Sequence, residues 1–88
     1  MGTATPVAKS VRAPEFGKVI VEASDGMRYH ADLQKFSSVH CYPKTEDEWR
    51  TVSIDSYGLA LIWTTRFEVH MDQVVALAFK KEYVARTA

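Results

Sequence analysis

The sequence predicts a small α+β domain: one antiparallel sheet, element order β-β-α-β-β-(β)-α, with a C-terminal helix packed on the sheet. Three observations predict it. Residues 17–33 alternate apolar and polar side chains on both sides of a Ser24-Asp25-Gly26 turn. Residues 59–63 form a nearly continuous apolar run, as in a strand covered on both faces. Residues 72–83 place apolar side chains at helical spacing.

Composition bounds what such a chain can be. It has 88 residues, 47% of them hydrophobic and 11% aromatic, which is too apolar for a disordered segment. No apolar run approaches the roughly 18 residues that cross a membrane. Cys41 is the single cysteine, so no internal disulfide can form. Eleven basic residues balance eleven acidic ones, whereas proteins that track phosphate backbones are strongly basic. A core of this size leaves little stability margin, so exposed apolar groups point to a partner.

Residues 1–14 read as a flexible tail. They contain Pro6, Pro14 and many small residues but no aromatic one, so there is little to bury. A signal peptide needs a positive start and an apolar stretch of about 7–15 residues. Neither is present, and with a free thiol this gives a cytoplasmic expectation. Setting aside Lys9 and Arg12 leaves nine basic against eleven acidic residues in the body, expected to be a single domain over 15–83 with a frayed end over 84–88.

The first hairpin can be registered by charge. A two-residue loop sets Val21 opposite His30 and Val19 opposite Asp32, mixing apolar and charged groups on each face. A three-residue loop pairs Val21 with Tyr29 and Val19 with Ala31, and sets Glu22 opposite Arg28 and Lys18 opposite Asp32. The three-residue loop is expected, with Gly26 in the left-handed conformation. Ile20 is left on the polar face.

Residues 34–43 are irregular. Thr45 with Glu48 three residues later forms a capping box, so a short helix over about 45–50 is expected, anchored by Trp49. Val52 and Ile54 alternate in a strand, Ser56-Tyr57-Gly58 is a turn, and residues 67–70 form a short strand. Asp72 suits a helix start, and Lys80 and Lys81 suit its end.

The second hairpin leaves two registers open. A three-residue loop separates Leu59, Leu61 and Trp63 from Val52 and Ile54; a loop of two or four residues puts all five on one face. The first case creates a second apolar face, to which Ile20 could add, and one terminal helix would not cover it. The segment 36–42 is the competing cover. Ile20, Leu59, Leu61 and Trp63 are therefore the candidate partner-binding residues.

Candidate chemistry is weaker. Glu68, His70 and Asp72 alternate, and a carboxylate–imidazole–carboxylate set can hold a transition metal. A helix-start acid and solvent-face charges explain the same residues. His30 and Asp32 could form an acid–base pair, but cross-strand pairing accounts for both. His40-Cys41 are adjacent in a loop, where nucleophile geometry is rare. No glycine-rich phosphate loop is present. No catalytic residue, cofactor or resident metal is expected. The alternative to a protein-interaction domain is a metal- or ligand-binding one using His30, Asp32, Glu68 and His70.

The hairpin with its closing Ala31-Asp32-Leu33, the segment Trp49-Arg50-Thr51-Val52-Ser53-Ile54-Asp55-Ser56-Tyr57-Gly58, the pair Ile62-Trp63 and the closing Phe67-Glu68-Val69-His70-Met71-Asp72 together resemble a bacterial family of small proteins classed as a domain of unknown function. The resemblance spans about residues 17–78. It departs at Thr64-Thr65-Arg66, where the family more often has a Pro/Asn-Gly turn. It implies a single α+β domain without established enzymatic activity, often encoded beside a second small protein in an antitoxin-like arrangement. The expected partner is accordingly another protein or a second copy, with neither membrane nor nucleic acid.

Overall fold

A computed structural model describes residues 5–84. The elements in chain order are β1 (Ala8–Glu15), β2 (Lys18–Ala23), β3 (Met27–Asp32), a 3-10 turn (Gln34–Phe36), α1 (Glu46–Trp49), β4 (Ser53–Ile54), β5 (Ala60–Ile62), β6 (Glu68–His70), α2 (Met71–Ala76) and β7 (Ala78–Tyr83).

The β2–β3 hairpin has the register that its charges predict. Val21 faces Tyr29, Val19 faces Ala31, Glu22 faces Arg28 and Lys18 faces Asp32. Gly26 adopts φ +81° in the turn. Val19, Val21, Ala23, Tyr29 and Ala31 are buried, so one face of the hairpin enters the core. The capping box also forms: Thr45 Oγ1 accepts from the Glu48 N–H at 3.1 Å.

Two expectations are overturned, and both corrections add a strand to this hairpin. Residues 8–14, read as part of a flexible tail, belong to β1, which pairs with β2. Register shifts on either side of residues 10–12 scramble the alternation that would have marked a strand. Pro14 is tolerable because β1 lies at a sheet edge. The outermost residues of the expected tail (1–4) and of the expected frayed end (85–88) lie outside the described residues.

The expected helix over residues 72–83 is the second correction. Only Met71–Ala76 is helical, and Ala78–Tyr83 pairs with β3. Apolar residues three and four apart fit a helix, but the same segment fits a strand once β3 offers an open edge. Arg28 then faces Glu82 and His30 faces Lys80. The fold class changes with it. The chain is mostly β, with a four-stranded sheet in the order β1-β2-β3-β7 and a three-stranded sheet in the order β4-β5-β6. An α+β domain with a C-terminal helix laid on one sheet is not what forms.

The second sheet settles the register left open above. Ile54 pairs with Leu61 and Ser53 with Ile62, which requires a four-residue loop over 56–59. The Asp55 carboxylate holds this loop, accepting from the Leu59 N–H at 2.8 Å. Leu61 joins the core on the same side as Ile54. β5 is the central strand of its sheet, as its apolar run implies.

Buried side chains from both sheets join one core. Aromatic rings run through it: Phe16 and Trp49 at 5.7 Å between centroids, Trp49 and Trp63 at 4.9 Å, and Trp63 and Phe67 at 4.9 Å. Each indole also satisfies a polar group. Trp49 Nε1 donates to the Lys18 carbonyl at 3.0 Å, and Trp63 Nε1 donates to the Trp49 carbonyl at 2.8 Å. The first bond ties α1 to β2, and the second ties the chain after β5 to α1.

The turn at Thr64-Thr65-Arg66 forms without a proline or glycine. Arg66 takes φ +75°, and its N–H donates to the Trp63 carbonyl at 3.0 Å. An arginine occupies the left-handed position that a glycine adopts at low cost.

Candidate functional site

The four residues expected at a partner surface do not stay together. Leu61 is fully buried and Trp63 is only 4% exposed, so both are core residues. The four-residue loop is the reason, since it turns their side chains toward the face that already carries Ile54. Ile20 is half-buried on the outer face of the larger sheet, between Arg12 of β1 and His30 of β3. Leu59 alone projects, 51% exposed.

Leu59 has a neighbour that sequence reasoning treated only as a turn residue. Tyr57 is 78% exposed two positions earlier in the same loop. An aromatic residue at the tip of a tight turn was the available signal. The loop is firmly held. Gly58 N–H donates to the Asp55 carbonyl at 3.1 Å, the Gly58 carbonyl accepts from the Ala8 N–H at 2.7 Å, and the Leu59 carbonyl accepts from the Met71 N–H at 2.9 Å. Leu59 also lines a shallow recess of about 220 Å³ together with Thr5, His70, Met71 and Asp72.

The histidines are dispersed. His30 sits on the larger sheet, with Nε2 at 2.5 Å from Glu82 Oε1. This hydrogen bond, ahead of the charges of Lys80 and Arg28, holds the Glu82 carboxyl below the usual glutamate range. Asp32 does not join them, because its Oδ1 accepts from the Gln34 N–H at 2.9 Å. His70 lies on the smaller sheet, 3.5 Å from Glu68. Among the described residues no group of three His, Cys, Asp or Glu side chains stands close enough to hold a metal ion. His40 is exposed, while Cys41 is half-buried and its carbonyl accepts from Thr65 Oγ1 at 2.6 Å.

A second cleft, of about 390 Å³, is lined by Phe16, Gln34, Ser37 and Tyr42. The Tyr42 hydroxyl is buried without a hydrogen-bond partner, and burial followed by the Asp32 charge raises its pKa.

Two further exposed apolar groups lie in the segment expected to be helical. Phe79 and Tyr83 of β7 are 60% and 76% exposed. Phe79 packs edge-on against His30 at 6.2 Å, with the Lys18 ammonium 5.6 Å from its ring. Among the described residues no helix is long and apolar enough to cross a membrane. Compared with known proteins, the chain matches no family model, no curated protein and no solved structure.

Proposed function

We propose that the chain is a non-enzymatic protein-interaction domain, an antitoxin-like or accessory partner of a second small protein, with the β4–β5 loop as its contact surface. The observation that carries this reading is the pair Tyr57 and Leu59, exposed on a loop whose backbone is tied to β1 and α2. Exposed aromatic and aliphatic side chains on a rigid support are good anchors, because little conformational entropy is lost on binding. The recess beside Leu59 gives a partner's apolar side chain a place to seat. The antitoxin-like role rests on the family resemblance.

Co-expression with the product of the adjacent gene tests it. Wild-type chain is expected to co-elute with that product on size-exclusion chromatography and to relieve its toxicity. Leu59→Ser and Tyr57→Ser should lose both effects while keeping wild-type circular dichroism. Absence of co-elution and of rescue with the wild-type chain would refute the reading.

A further inference from the structure

We infer that β7 is a self-pairing edge, through which two copies of this chain join antiparallel about Lys81 to make one continuous eight-stranded sheet. β7 is the last strand of the sheet order β1-β2-β3-β7, so among the described residues one side of it has no neighbour. The other edges are less suitable. β1 carries Pro14 and register shifts, and the β4–β5 loop is bonded to its start. The strands of the smaller sheet have only two or three residues.

Backbone direction limits the possible registers. The Val84 N–H donates to the Gly26 carbonyl, toward β3. With His30 opposite Lys80 and Arg28 opposite Glu82, alternation turns the N–H and C=O groups of Lys80 and Glu82 toward β3. Those of Lys81 and Tyr83 therefore face the open side. A second β7 must present the same residues, so Lys81 can face Lys81, or the strand can slip by two positions in sum either way.

Charge selects among these registers. With Lys81 at the twofold axis, Lys80 of each copy stands opposite Glu82 of the other, giving two opposite-charge pairs on the outer face. One slip sets Glu82 opposite Glu82, and the other sets Lys80 opposite Lys80. Lysines on an edge strand commonly discourage pairing; here Lys80 disfavours one slip, Glu82 disfavours the other, and the register about Lys81 remains. The two Lys81 ammonium groups do not have to meet, since each lies 5.8 Å from the ring of its own Tyr29. The twofold contact is isologous and closes at a dimer.

Sedimentation velocity over a concentration series tests this on the full chain. Wild type is expected to show a monomer–dimer equilibrium. Lys80→Glu and Glu82→Lys, each alone, turn both pairs into like-charge contacts and should weaken dimerisation by about tenfold or more. Mixing the two variants should restore a heterodimer, because one then carries two acids and the other two bases. Lys81→Pro removes an N–H that the alternation turns away from β3, and should abolish the dimer while circular dichroism stays unchanged. Leu59→Ser should leave the dimer intact, which separates this result from the partner reading above. A wild-type chain that stays monomeric at millimolar concentration overturns the inference, as does a dimer indifferent to Lys81→Pro. A dimer that Lys81→Pro abolishes but that mixing the charge variants does not restore overturns the register.

Discussion

Replacing Trp63 by Phe tests whether that side chain is core or contact surface. Trp63 is 4% exposed, packs against Trp49 and Phe67, and gives its indole N–H to the Trp49 carbonyl at 2.8 Å. Phe keeps one ring and loses both the outer part of the indole and the donor. A buried acceptor left without its donor costs about 1–3 kcal/mol. Full truncation of a core Trp costs about 3–5 kcal/mol, so the lost packing in a Phe variant adds about 1 kcal/mol more. The expected total, about 2–4 kcal/mol, is a large part of the stability of so small a domain. Unfolding temperature should fall by about 10–25 °C. Leu59→Ser, at a half-exposed position, should change stability by no more than about 0.5 kcal/mol. Urea unfolding followed by circular dichroism measures both. A Trp63→Phe variant within about 1 kcal/mol of wild type, or a Leu59→Ser variant as destabilised as it, would refute the assignment of Trp63 to the core and Leu59 to the surface.

Gly58→Ala should destabilise by about 1–3 kcal/mol in the same urea experiment, because φ is +73° and a Cβ would come within 2.9 Å of the Ala8 carbonyl. Amide exchange in β1 should rise with it, as the Ala8–Gly58 bond is displaced. Arg66→Gly should do the opposite and add about 0.5–1 kcal/mol, since glycine holds φ +75° without strain; an unchanged urea midpoint would argue against a left-handed Arg66. Tyr29 sets an alkaline limit: burial, then its 2.5 Å bond to Asp25 Oδ2, pushes its pKa up to about 12. The unfolded chain releases this proton near pH 10 and the folded chain holds it, so stability should fall as pH rises from 10 toward 12. Tyr29→Phe should reduce that slope, and absorbance at 295 nm should show one late-titrating tyrosine fewer in the variant, Tyr42 remaining raised.

The features legible in the sequence were those settled by near neighbours along the chain. Glu22, Arg28, Lys18 and Asp32 set the first hairpin's register because opposite strands only three residues apart can satisfy charge and burial in one way. Thr45 and Glu48 marked the start of α1 through a bond spanning three residues. Leu59 was singled out through a three-residue loop that does not form; it is exposed because the four-residue loop leaves it in the turn.

Long-range contacts decided the rest. β1 was hidden because its alternation breaks at register shifts, and only the open edge of β2 makes residues 8–15 a strand. β7 was hidden because residues 78–83 show no apolar alternation of their own and follow a stretch with helical spacing; pairing with Arg28 and His30, some fifty residues earlier, makes them a strand. Leu61 and Trp63 went to the core because Asp55 lengthened a loop by one residue, and in a strand one residue reverses the face of every side chain beyond it. The sequence by itself determined which segments turn and which alternate. Tertiary structure decided which segments pair as strands, because a strand's hydrogen bonds go to whatever partner the fold brings beside it.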